Sequence, residues 1–248
     1  MSRNNIHTHT IFCDGKDTPE ELVKYAIECG CRAIGFSGHS FTDIPDVHSF
    51  CMTKEGTEEY KREINRLKLL YKDKIKILLG VEQDYFSECA TDDYEYIIGS
   101  VHYILKDGQY ISVDESEEAQ KNAVDQYYGG DYYAFIEDYY SLVGKVYEKT
   151  KCDIIGHFDL VTKFNEDNRL FDISDPRYIA SADKALEKLL SEKVAFEVNY
   201  GAIARGYRKT PYPDDRILGK IIKANKPVIY TSDCHSKEML LFGIPENG

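Results

Sequence analysis

Histidines and carboxylates recur along this chain at spacings that suit a divalent cation. His7 and His9 stand two apart in Asn5-Ile6-His7-Thr8-His9-Thr10, and Asp14 follows in the next few residues. On an extended segment, residues i and i+2 project to one face, so both imidazoles can converge on one point. Neutral imidazoles with a nearby carboxylate make a good donor set for such a metal. A solitary His-x-His is a weak signal, since a polar strand end explains it equally well. The other histidines change that balance.

Short apolar runs lead repeatedly into a residue able to bind metal. Residues 33–36 lead through Ser37-Gly38 to His39, 75–81 to Glu82, 96–101 to His102 and 153–156 to His157. The run 228–231 leads through Ser232 to Asp233-Cys234-His235. Six of the seven histidines therefore follow apolar runs, together with Asp14, Glu82 and Asp233. That set exceeds what one zinc needs and can serve two or three divalent ions if a carboxylate bridges. Glu82, a lone carboxylate at a central strand end, is the natural bridge.

The elements that must position these residues alternate. The runs, with Asn5-Ile6 as the first and 194–198 as the sixth, read as seven strands. Helical patterns lie between them, beginning with a Thr18-Pro19-Glu20-Glu21 cap and continuing at 55–71, 117–128, 132–148, 176–191 and 214–224. Strands alternating with helices predict β-α units and a parallel sheet. Seven strands in one domain, residues 1–248, predict an α/β fold closed or nearly closed into a barrel. In such folds the carboxyl ends of the strands share one face and carry the site. Residues 107–151 read as the irregular part. Its aromatics Tyr132, Phe135, Tyr139 and Tyr147 roughly fit one helical stripe, better suited to core than to a substrate platform.

Composition sets the outer limits. A chain of 248 residues can bury a sizeable core without disulfides. Its net charge of -12 repels nucleic-acid backbones, and no basic stripe offsets it. No stretch has the apolar length of a membrane span, and residues 1–5 lack the apolar core of a signal peptide. The seven cysteines form no C-x-x-C pair and read as reduced thiols. Cys13 and Cys234, beside Asp14 and His235, read as small apolar fillers. The expectation is a cytoplasmic protein that acts on neither nucleic acid nor membrane.

The ordered set His7-x-His9, Asp14, Gly38-His39, Gly80-Val81-Glu82, Ser100-Val101-His102, Gly156-His157 and Ser232-Asp233-x-His235 resembles the PHP (polymerase and histidinol phosphatase) superfamily. The match runs from His7 to His235. Many members carry histidine where this chain has Asp14; the aspartate variant resembles the histidinol-phosphatase branch. The resemblance implies a distorted seven-stranded β/α barrel and a phosphomonoesterase acting on histidinol phosphate through a metal-bridging hydroxide. It further implies one ion on His7, His9, Glu82 and Asp233, a second sharing Glu82 with His102 and His157, and a third on Asp14, His39 and His235. Zinc suits the imidazole-rich set best, with manganese or iron as alternatives.

The sixth run alone ends without a histidine, in Asn199-Tyr200-Gly201-Ala202-Ile203-Ala204-Arg205-Gly206. Asn199 and Arg205 are candidate substrate contacts, because arginine's planar fork matches phosphate oxygens. Lys163 could offer a second positive charge, although a solvated lysine is the reading its sequence position favours. His48, in the loop after the second run, is a further candidate. Glu82, Asp233 and Arg205 are the candidate catalytic residues, with Asp233 or a metal-bound water as proton donor to the leaving group. Rival expectations are a PHP phosphoesterase acting on nucleotides or sugar phosphates, a proofreading-type nuclease, an amidohydrolase, or a non-catalytic metal-binding protein.

Overall fold

The computed structural model describes residues 3–45 and 50–246, so His48 lies outside the described residues. Helix α1 (Pro19–Glu28) starts from the expected reciprocal cap: the Thr18 hydroxyl accepts from the Glu21 amide, and the Glu21 carboxylate accepts from the Thr18 amide. The chain continues through β1 (Ala33–Phe36), α2 (Lys54–Leu70), β2 (Lys76–Asp84) and β3 (Tyr96–Ser100). A hairpin follows, β4 (Tyr103–Lys106) and β5 (Gln109–Ser112), then α3 (Glu117–Tyr128), α4 (Tyr132–Val143) and α5 (Val146–Thr150). The last part runs through β6 (Ile154–Ile155), α6 (Pro176–Leu190), β7 (Ala195–Asn199), α7 (Gly201–Ala204), α8 (Asp215–Lys223) and β8 (Val228–Thr231).

The main sheet is parallel and has six strands in the order β1-β2-β3-β6-β7-β8, not seven. The segment expected as the first strand makes isolated parallel bridges instead, Asn5 to Ile34 at one edge of the sheet and Thr8 to Cys234 beyond the other. Its backbone bonds to both neighbours, Gly35 N to Asn5 O, Ser37 N to Thr8 O and Cys234 N to His7 O, and the Asn5 amide adds donations to His7 O, Thr8 Oγ1 and Ser232 Oγ. The predicted helix over 132–148 is two helices. They part at Gly144, where a Cβ would stand 3.2 Å from Ala185 Cα of α6, so the missing side chain lets α4 lie close on its neighbour. The segment expected to be irregular contains β5, α3, α4 and α5. Phe135 and Tyr139 are buried in the core there, with Tyr132 and Tyr147 packed against it, as the core reading of the stripe expects.

Strand alternation separates core from site. In β2, Ile77, Leu79 and Val81 join the apolar cluster under α1 and α2, while Leu78 packs on the opposite face. Tyr96 fills the space between strands on that face, its hydroxyl donating to Ile6 O at 2.5 Å and Phe36 O at 3.1 Å. Gly80 is needed for this: a Cβ there would fall 2.2 Å from the Tyr96 ring. Glu82, two residues further along the same face, is thereby carried to the carboxyl end above an apolar floor.

Candidate metal centre

Backbone pairing sets the candidate ligands side by side. Glu82 N donates to Gly38 O and Ser40 N to Glu82 O, which seats His39 beside Glu82. His9 N donates to Cys234 O and Cys234 N to His7 O, which interleaves the first histidine pair with Asp233 and His235. Asp233 sits in the left-handed region at φ 46°. Its side chain occupies space that a Cβ on Gly201 would fill, 2.7 Å from Oδ2.

Three overlapping groups result: His9, Asp14, His39 and His235; His7, His9 and Asp233; and His39, Glu82 and His102. Glu82 Oε2 stands 2.9 Å from His39 Nδ1, 3.3 Å from His7 Nε2 and 3.6 Å from His9 Nε2. Its Oε1 is 2.8 Å from His157 Nε2 and 3.4 Å from His102 Nε2, and accepts from Ser100 Oγ at 2.7 Å. Asp233 Oδ1 lies 3.1 Å from His9 Nε2, and Asp14 Oδ2 3.1 Å from His235 Nε2. Relative to the expected division, His9 also reaches the Asp14 group and His39 also reaches Glu82.

The donor set fits divalent cations. His7 Nε2, His9 Nε2, Asp14 Oδ1 and Glu82 Oε2 are buried with no hydrogen-bond partner among the described residues. Buried polar atoms are ordinarily satisfied, so orphaned lone pairs in one cluster need a positive partner. In the metal-free chain, protons serve that purpose. Burial alone would lower His7, but Glu197, Glu82 and Asp233 outweigh it and raise its pKa to about 10. His102 is likewise raised against burial, mainly by Glu82. Burial would raise Glu82, yet His39, His7 and His102 hold it well below the usual carboxylate range. Asp233 is depressed in the same way, with Arg205 as the strongest opposing charge.

All of the candidate ligands except His7 and His9 open onto a cavity of about 700 Å³ lined also by Asp84, Tyr103, Tyr110, Asp114, Lys163 and Arg205. Arg205 donates from Nη2 to Asp233 Oδ2 at 3.1 Å, and its Nη1 lies 2.8 Å from His235 Nδ1. Lys163 is not a solvated lysine. It is buried, and its Nζ donates to Asp114 O and Oδ2 at 2.7 and 3.0 Å. Asn199, expected at the substrate, is instead fully buried, its carboxamide committed to Glu197 Oε2 and the Gly201 amide.

Two carboxylates behind the ligands went unread in the sequence. Glu197 accepts from His7 Nδ1 at 2.5 Å, and Asp84 Oδ2 stands 3.1 Å from His102 Nδ1. Both had a signal: Glu197 is an acid inside an apolar run, and Asp84 follows Glu82 on the same strand face.

Imidazoles and carboxylates gathered at the carboxyl ends of a parallel sheet place this chain among α/β proteins suited to hold divalent cations beside a substrate cavity. Comparison narrows the class: the PHP domain model matches residues 5–201, and the chain belongs to that family. It is 26% identical over 260 residues to the histidinol-phosphatase of Bacillus subtilis, covering 95% of this chain and 94% of that one. Among solved structures it resembles a Listeria monocytogenes protein provisionally assigned as a histidinol phosphatase, with TM-score 0.83, 22% identity and coverage of 97% and 98%. It also resembles the Lactococcus lactis histidinol phosphate phosphatase, solved with zinc, L-histidinol and phosphate, with TM-score 0.68, 22% identity and coverage of 95% and 87%. At that identity the two structural likenesses speak for the fold.

Proposed function

We propose that this chain is a metal-dependent phosphomonoesterase that converts L-histidinol phosphate and water to L-histidinol and phosphate. The observation that carries the reading is one cavity lined by seven of the nine candidate ligands, the orphaned Asp14 and Glu82 among them, and by two cationic side chains, Arg205 and Lys163. His7, His9, Glu82 and Asp233 would hold one ion, Glu82 with His102 and His157 a second, and Asp14, His39 and His235 a third. Zinc fits the imidazole majority; manganese or iron would suit the mixed nitrogen and oxygen positions. Such ions supply Lewis-acid charge for the phosphoryl oxygens and lower the pKa of water enough for attack at neutral pH.

The chain's own groups do the rest. Arg205 offers guanidinium hydrogens to oxygens that gain charge in the transition state, and Lys163 adds a second cation across the cavity. The proton released as water forms the new P–O bond would pass to the alkoxide as the ester P–O bond breaks, with Asp233 or a water at the centre as its carrier. Glu115, the Lys163-paired Asp114 and the Tyr103 and Tyr110 rings line the same cavity and suit a leaving group bearing an amine and an imidazole. The same reading takes the segment from Asn5 to Thr8 as a seventh stave closing the barrel, the whole chain as one domain, and the cytoplasm as its location.

The test is phosphate release from a panel of esters with and without a chelator. Histidinol phosphate should be the best substrate, diesters should be inert, and chelation should abolish turnover. Preference for a nucleotide or sugar phosphate would keep the chemistry and overturn the substrate; cleavage of single-stranded DNA would overturn both.

A further inference from the structure

Glu197 lies fully buried beneath the cavity and is not among the residues lining it. Four donors nevertheless converge on it from four stretches of chain. His7 Nδ1 at the N-terminal segment and Thr231 Oγ1 on β8 each stand 2.5 Å from Oε1. The His157 amide after β6 reaches Oε2 at 2.7 Å, and Asn199 Nδ2, on β7 with Glu197 itself, reaches it at 3.0 Å. An ionised carboxylate can only accept, so Nδ1 keeps its proton, and the ring that gives up its other proton to a metal presents its lone pair at Nε2. That Nε2 atom is orphaned and faces Glu82 and Asp233, at 3.3 and 3.7 Å. Through its second oxygen the same carboxylate anchors the backbone that carries His157.

We infer that Glu197 is a positioning residue: it fixes the tautomer and ring orientation of His7 and the placement of His157, so that both present Nε2 toward the cations. Carboxylates behind a ligating imidazole hold the ring and strengthen it as a donor, and their loss typically costs about 10- to 100-fold in metal affinity or activity. The inference rests on the metal reading above. It goes further in assigning affinity to a residue that touches neither ion nor substrate.

Zinc affinity is measured by competition with a chromophoric chelator, on chains shown by circular dichroism to be folded. Glu197→Gln should weaken the two ions assigned to His7 and His157 about 10- to 100-fold and leave the third near the wild-type value. Thr231→Val removes a different donor to the same carboxylate and should bind zinc as the wild type does. Nitrogen NMR of the zinc-loaded wild-type chain gives a readout independent of the variant's folding: the His7 proton should be on Nδ1. Finding it on Nε2, or finding equal zinc affinity in folded Glu197→Gln and the wild type, overturns the assignment. A wild-type chain that takes up no zinc would instead sink the metal reading itself.

Discussion

At the scale of single residues, Glu82 is the point on which the centre turns, a buried carboxylate with five imidazoles within 3.6 Å of its oxygens. Its placement was legible because a lone carboxylate at the end of an apolar run is costly to bury unless positive charge meets it there. Arg205 was legible in a different way, as the one rim position whose strand carried no histidine. The structure places its fork on Asp233 and His235, at the cavity wall, so it both braces candidate ligands and faces the substrate space. Arg205→Ala should lower kcat/KM by about a hundredfold, near 3 kcal/mol, the usual cost of losing one such donor. Arg205→Lys should recover only part, since an ammonium keeps charge and loses the fork. Steady-state kinetics with parallel zinc analysis checks this; near-normal turnover in the alanine variant would leave phosphate binding to the metals. The carboxylates Glu197 and Asp84 were harder to read, because a residue that supports a ligand declares itself only when strand parity and neighbour are both known.

At the scale of elements, the sequence was most legible where a local rule acts alone. The Thr18 cap, the helix over 117–128 and the apolar strands follow from capping and periodicity. The N-terminal segment, expected as a strand, forms isolated parallel bridges in place of a continuous ladder, because its apolar part is only Ile6. The β4–β5 hairpin was missed inside the supposedly irregular stretch, although Asp107-Gly108 is a strong turn signal. Both residues have positive φ, 49° and 78°, the conformation a two-residue turn of the twisted hairpin requires. This hairpin overhangs the centre, with Gly108, Gln109 and Tyr110 on the cavity wall. Gly108→Ala forces a side chain into the left-handed region and should cost about 1 kcal/mol. In a chain of this size that is a fall of about 2 to 4 °C in Tm. KM should rise while kcat holds, because the turn shapes the mouth and stands apart from the donors. Melting curves and steady-state kinetics on the same preparation test both halves; a change in kcat alone would remove the hairpin from substrate binding.

At the scale of the whole molecule, the candidate ligands span the chain from His7 to His235, and the two ends of the sheet meet through the N-terminal segment, by isolated bridges and the Asn5 side chain. Cations held by that set would bind the folded state and little of the unfolded one, so their removal should cost global stability. One site at a free-ion concentration a thousand times its Kd contributes about 4 kcal/mol. For a chain of this length that corresponds to a rise in Tm of roughly 8 to 16 °C. The increment should depend on pH with a definite sign. His7, raised to about 10 in the metal-free chain, must give up its proton to accept a metal, so acid opposes loading. Each displaced proton weakens affinity about tenfold per unit of pH. The metal-free chain runs the other way: His7 protonation stabilises its fold fully below about 6.5, and that contribution is lost as pH rises through about 10. Scanning calorimetry of zinc-loaded and chelated protein at pH 6, 7 and 8 should therefore show the gap between the two Tm values widening with pH. A gap that stays constant, or that closes as pH rises, would mean that the imidazoles do not exchange protons for metal, and the centre would have to be assigned to the carboxylates alone.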